Sequence, residues 1–235
     1  MKRLAAVISL ILAMLCIVSC FAENTIRPES VAAGDVVTFG TYEQDNNLDN
    51  GAESIEWIVL DVQNGKALLL SKYALDAIAF NAEYGDIAWD KCTLRSWLNN
   101  EFLKEAFSEA EQSAVLLTDV DNSDAQHRWN SVKCDNTQDQ IFLLSDYEAF
   151  TMYFSSDDAR QCILTDYAIA NGAWTDEKYQ LDGKAIGVWW LRSPGPFQDC
   201  TEVVLFGGYS LRMNVDFAVC VIRPAFWIDL NSDIF

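Results

Sequence analysis

The sequence predicts an α+β fold: a single domain whose mixed or antiparallel sheet joins the N- and C-terminal thirds of the chain, with helices inserted between them. Three observations lead there. Short β-branched or alternating runs occupy both ends, and apolar residues recur at helical spacing only in the middle. No linker, low-complexity tract or internal repeat divides the 235 residues. The boundaries read as a signal segment over 1–22, a short lead over 23–34 and the domain over 35–235.

Lys2 and Arg3 precede an uncharged apolar run from Leu4 to Val18, after which the polar, acidic chain resumes at Glu23. A positive start followed by an apolar stretch of this length is the pattern of a secretory signal. The stretch falls short of the roughly 20 apolar residues that span a bilayer. Two processing sites compete. A cut after Cys20-Phe21-Ala22 releases the protein, whereas Ile17-Val18-Ser19-Cys20 resembles a lipobox in which Cys20 becomes a lipidated first residue. The bulky Phe21 favours release. The expected location is outside the cytoplasm, secreted or lipid-anchored at a bacterial cell surface, with no transmembrane span in the mature chain.

Strands are expected from Val36 to Tyr42, from Ile55 to Val62 and from Lys66 to Lys72. Asn64-Gly65 lies between the last two, and both positions of a type I′ hairpin turn need positive φ. In the middle, Leu94, Trp97, Leu98 and Phe102 share a helical face behind Thr93 as N-cap. Ser108 with Glu111, and Ser145 with Glu148, have capping-box spacing. Ile141 to Leu144 reads as a short strand, and Tyr167 to Ala170 as a short helix ending at Gly172. Strands return over Val188 to Arg192, Glu202 to Phe206 and Leu211 to Val215, with a Gly207-Gly208 turn, and over Val219 to Asp229, interrupted by Pro224.

Composition is that of a globular chain, 51% hydrophobic and 22% charged. Residues 1–22 carry two positive and no negative charges, so their removal takes the net charge from −19 to −21. Such a chain repels phosphate backbones, which excludes nucleic acid as a partner. Cysteines 92, 134, 162, 200 and 220 remain, an odd number, so at least one thiol has no partner within the chain. Cys200 and Cys220 flank the last hairpin and are the preferred disulfide. No Cys-x-x-Cys or Cys/His cluster points to structural zinc.

Candidate chemistry is sparse. His127, the only histidine, lies in the polar stretch Asp119 to Thr137 and reads as a solvated loop residue. There is no Gly-x-Ser-x-Gly elbow and no two-histidine zinc motif, so an enzyme is not the first expectation. A carboxylate pair of glycosidase type is the catalytic alternative, since 35 acidic residues offer many pairs. Calcium is the one cofactor with candidate places: Asp119, Asp121 and Asp124, which lack a terminal glutamate, and Asp45, Asn47, Asp49, Glu53 and Glu56, which sit at EF-hand offsets 1, 3, 5, 9 and 12. Offset 6 is Asn50 instead of Gly, and strands flank the loop where helices should. Aromatic residues are dense in Trp189-Trp190, which strand alternation sends to opposite faces. Either one packs in the core while the other lines a surface, or both pack.

Six motifs occur in order: Phe39-Gly40-Thr41-Tyr42-Glu43-Gln44, Ile55-Glu56-Trp57, Leu94-Arg95-Ser96-Trp97-Leu98-Asn99, Ile141-Phe142-Leu143-Leu144-Ser145, Trp189-Trp190-Leu191-Arg192-Ser193-Pro194-Gly195 and Arg223-Pro224-Ala225-Phe226-Trp227-Ile228. Together they resemble an uncharacterised domain family abundant in secreted and surface proteins of gut Firmicutes. The ending, with Trp-Trp-Leu-Arg-Ser and a closing Arg-Pro-Ala-x-Trp strand, is similar to the C-type-lectin-like fold. Formylglycine-generating enzymes share that broad fold, but their closely spaced copper-binding cysteine pair has no counterpart here. Trp189, Arg192, Arg223 and Trp227 are read as structural, with each buried guanidinium needing carboxylate or carbonyl partners.

The expected function is an exported ligand-binding domain, its ligand a glycan or a surface protein, with Trp190, Phe197, Tyr209 and Asp216 as the contact residues on the C-terminal hairpins. The alternatives are a carboxylate-dependent glycoside hydrolase and an adhesion or envelope module that binds protein.

Overall fold

The structure is a computed structural model describing residues 26–235. The signal segment and Cys20 lie outside the described residues. Eleven strands follow one another among them: β1 (Val36–Tyr42), β2 (Glu53–Gln63), β3 (Lys66–Ser71), β4 (Thr118–Val120), β5 (Thr137–Asp139), β6 (Gln180–Leu181), β7 (Lys184–Ala185), β8 (Trp189–Pro194), β9 (Cys200–Val204), β10 (Ser210–Asn214) and β11 (Ala225–Asp229). The larger sheet has the order β1-β2-β3-β11, and a second runs β10-β9-β8. Every strand pair is antiparallel. The expected union of the two ends of the chain is the β3–β11 pair, where Leu68 faces Trp227 and Leu70 faces Ala225.

The β2–β3 hairpin turns on Asn64 and Gly65, with φ of 50° and 75°. Almost all of β3 is buried because a strand covers each edge. Aromatic rings fill the space between this sheet and the helices: Trp57 and Phe226 meet edge-on at 4.7 Å, and Phe107 lies 5.4 Å from Phe226. Gly40 sits in the irregularity between Thr38 and Thr41 of β1, at φ 69°. A Cβ there would lie 2.5 Å from the Ala106 carbonyl and 2.6 Å from the Phe107 ring. The Phe-Gly-Thr-Tyr motif is thus a packing requirement.

The helical stretch begins at α1 (Thr93–Trp97), widens into a π-helical turn over Leu98–Phe102 and ends in α2 (Leu103–Ala106). Its N-cap is Cys92, whose sulfur accepts from the Arg95 N–H, whereas the Thr93 hydroxyl accepts from Ala82. The π turn has a local cause. The side-chain amides of Asn99 and Asn100 donate to the carbonyls of Arg95 and Ser96, four residues back, where a backbone N–H would normally bond. The Ser108 box heads α3 (Glu109–Ala114) with both arms in place. Ser145 and Glu148 also bond reciprocally, at 2.7 and 3.1 Å. Two more short helices are capped by Ser156 and Thr165: α4 (Asp157–Arg160) and α5 (Asp166–Ala170).

Two expected strands differ. Ile141 to Leu144 forms a single bridge, Phe142 to Ala225, because side chains take two of its carbonyls: Asn99 bonds Ile141 and Arg192 bonds Leu143. Val219 to Asp229 divides at Pro224, and only Ala225 onward joins the sheet. The part before it makes bridges from Val221 to Ala77 and Trp189. Among the described residues no helix is long and apolar enough to cross a membrane.

Gly40→Ala is expected to lower stability by about 2 kcal/mol or more, from positive φ and overpacking combined. Chemical denaturation measures it, and an unchanged midpoint would contradict the close approach to Phe107.

Candidate functional site

The smaller sheet carries the polar chemistry. In β8, Arg192 is buried and saturated with acceptors. Its Nε donates to Asn122 Oδ1 at 3.1 Å, Nη1 to the Leu143 carbonyl at 2.8 Å, and Nη2 to Asp121 O at 3.2 Å and Glu148 Oε1 at 2.9 Å. Nη1 also pairs with Glu148 Oε2. Burial disfavours the Glu148 anion, but Arg192 and the Ser145 N–H outweigh it and hold the carboxyl below its ordinary range. This centre fixes the start of the 121–136 loop over the sheet.

The next residues of that loop are tied down by side chains. His127 is docked, not solvated as its sequence context implied. Its Nδ1 lies 2.8 Å from Ser193 Oγ and its Nε2 3.1 Å from the Asn122 carbonyl. Burial and the neighbouring Arg192 depress its pKa, so the ring is neutral at pH 7. The carbonyl assigns the hydrogen to Nε2, leaving Nδ1 to accept from Ser193. The Ser193 oxygen in turn accepts from the Asp146 N–H at 2.8 Å. Ser193 has the base of a nucleophile but is completely buried, so the pair serves as a strut.

Beyond the strut, Arg128 reaches Asp146 at 3.3 Å, and the Trp129 indole N–H donates to Glu202 Oε1 at 2.9 Å. Glu202, on β9, is only 2% exposed, and its Oε2 has no donor. The carboxyl beside it is Asp146. Two facing carboxyl oxygens bond only if one of them carries a proton. Burial first, then this hydrogen bond and the Asp146 charge, raise Glu202 to about 8, against the opposing pull of Arg128. Arg128, Trp129, Pro196, Glu202, Ser210, Leu211 and Arg212 enclose a pocket of about 160 Å³. Trp129 is 43% exposed in its wall. A larger cleft, about 500 Å³, opens between β1 and Ile234-Phe235. Its one carboxylate, Glu111, is occupied by Ser108 and Gly40, which leaves the hydroxyls of Thr38, Thr41 and Ser54 as its polar groups.

The residues expected from sequence scatter. Trp190 is fully buried, its indole bonded to the Ile78 carbonyl and its ring against Phe80, so it cannot contact a ligand. Trp189 is equally buried and donates to Arg160 O. Both tryptophans pack because helices and loops cover both faces of β8. Phe197, 55% exposed, stands beside the pocket with the Arg212 guanidinium 4.7 Å above its ring. Tyr209 lies in the β9–β10 turn and does not line the pocket. Asp216 is half-buried past the end of β10, one oxygen without a partner. Arg223 finds one acceptor, Ser71 O at 2.9 Å, and otherwise packs on Phe154 and Trp189, fewer polar partners than expected. Trp227 takes Lys66 over its ring at 4.4 Å.

The EF-hand set comes apart. Asp45 and Glu53 do meet, with Glu43 as third member, their oxygens within 4.8 Å of one another. However, these carboxylates already accept from Gln44, Asn47 and Asn50. Asn47 accepts from the Asp49 N–H, and Glu56 points to Lys72 at 3.1 Å. Cys200 and Cys220 do not form the expected disulfide: all five described cysteines are free. Cys200 lies against Phe197 O and Gly195, whereas Cys220 is held by backbone bonds to Ile78 and Phe217.

Sequence reasoning missed Trp129, Arg128, Glu202 and Asp146. Its one available signal was Trp129 itself, a large aromatic in a polar loop with no local apolar partner. Fold and site define an α+β domain with a polar, aromatic-walled pocket on its smaller sheet. The chain belongs to the family described as a domain of unknown function, DUF6273, which matches residues 64–230. No curated protein and no solved structure matches it.

Glu202 gives the site a pH signature. From its ordinary 4.5 up to about 8, the folded chain holds a proton that the unfolded chain has released, so stability falls as pH rises through that window. Glu202→Gln keeps the hydrogen bonds without the charge. It should match the parent near pH 5 and exceed it at pH 8 by on the order of a few kcal/mol. Denaturant midpoints at both pH values decide this, and parallel pH profiles would refute the buried proton.

Proposed function

We propose that this protein is an exported ligand-binding domain, C-type-lectin-like in fold, that holds a glycan on the β9–β10 face beneath Trp129. The observation that carries the reading is the pocket's make-up: a Trp129 side chain 43% exposed in the wall of a pocket otherwise lined mostly by polar and charged groups. A sugar ring needs both, an apolar plane for its C–H face and fixed polar groups for its hydroxyls. The Ser210 and Arg212 side chains add hydrogen-bonding groups at the opposite rim. Export is supported by the basic start and apolar run of residues 1–22.

A proton-bearing carboxyl beside a second carboxyl also favours the hydrolase reading, because general acid catalysis needs a proton donor at neutral pH. Glycosidase carboxyls stand about 5 to 10 Å apart across the scissile bond. Here Glu202 is only 2% exposed, out of reach of a glycosidic oxygen. Binding without turnover is the better fit.

The test is a glycan array followed by titration calorimetry. Trp129→Ala is expected to weaken the best glycan at least about tenfold, the loss of one stacking face. Leu48→Ala, in the exposed acidic loop, should bind as the parent does. Equal binding by Trp129→Ala would place the site elsewhere, and release of chromophore from aryl glycosides would restore the hydrolase.

A further inference from the structure

We infer that the glycan is acidic, and that the pocket takes a hexuronic acid whose carboxylate lies against Arg212 and Arg128. This rests on the glycan reading above and adds the charge of the ligand. In a chain with 35 acidic and 16 basic residues, a surface pocket lined by two arginines runs against composition. Three other arginines are paired with carboxylates, Arg95 with Asp139, Arg160 with Asp157 and Arg192 with Glu148, and Arg223, which has none, is buried away from solvent. Arg212 has no carboxylate within salt-bridge distance among the described residues. The nearest acid by strand register is Glu202, directly across from it on β9. That carboxyl is turned to the Trp129 indole instead.

The guanidinium of Arg212 also lies over the Phe197 ring, 4.7 Å from its centroid. A guanidinium is a planar fork whose parallel N–H groups a carboxylate accepts in two bonds, and one stacked on an aromatic face keeps its edge free for them. Arg128, nearly half exposed, gives one nitrogen to Asp146 and has others to spare. The groups facing Glu202 are Asp146 at the start of the 146–152 helical turn, Arg128 and Trp129 on the loop, and Ser210 and Arg212 on β10. With Glu202 largely uncharged at neutral pH, Asp146 offsets Arg128 and the charge of Arg212 is left uncompensated. At about 160 Å³ the pocket is smaller than the roughly 300–1,000 Å³ of a drug-sized site, and suits one ring.

The probes are short oligouronates of galacturonic, glucuronic and mannuronic acid, each beside its methyl ester, which keeps the ring and removes the charge. Titration against the purified protein at physiological ionic strength is expected to show saturable binding of at least one acid form, with its ester at least tenfold weaker. Arg212→Gln should abolish the difference between acid and ester while the protein remains folded, because Arg212 is exposed. If esters or neutral glycans bind as tightly as the acids, and Trp129→Ala removes that binding, the acidic ligand is overturned and the glycan site stands. If no glycan of either kind binds at millimolar concentration, both fall.

Discussion

The constraint on which the rest of the structure depends is the burial of the Arg192 guanidinium. A charge taken out of water is tolerated only with a counter-charge and a full set of acceptors. Arg192 obtains these from three separate stretches: the start of the 121–136 loop, the Leu143 carbonyl and the Glu148 carboxylate. Meeting one residue's needs therefore fixes the positions of segments that share no strand ladder. That explains how a chain with short helices and isolated bridges over its middle third still has a defined interior. It also places the loop that delivers Arg128 and Trp129 to the pocket.

The pocket handles its own buried acid differently. Glu148 keeps its charge because a guanidinium meets both oxygens, whereas Glu202 has an indole, a hydroxyl and another acid as neighbours. Without a full counter-charge, retaining a proton costs less than burying the anion. Two glutamates on neighbouring elements thus take opposite states, one ionised and the other neutral. Their partners decide the difference, not their degree of burial.

Much of the scaffold was legible in the sequence. The Asn64-Gly65 turn, β1 at its full length, both capping boxes and the return of the last strand to β3 follow from local chemistry that tertiary contacts do not override. The site was less legible. Trp190 looked available because strand alternation assumes one open face, and β8 has none. Phe197 does stand exposed, next to the Pro196 that lines the pocket. Glu202 was invisible as a site residue, since its proton depends on burial and on Asp146, 56 positions earlier in the chain. The π turn was hidden for a similar reason: it arises from amides of Asn99 and Asn100 turned back on their own helix, which periodicity does not register.

The family match begins at residue 64, inside the hairpin turn, so β1 and β2 precede it. Yet β3 carries Ala67-Leu68-Leu69-Leu70, all buried, and β2 covers one of its edges. A fragment starting at residue 64 would expose a row of unpaired amides flanked by apolar side chains, a template for joining one chain to the next. The first two strands therefore act as a guard against self-association, and the unit that folds alone is longer than the unit that the family pattern outlines.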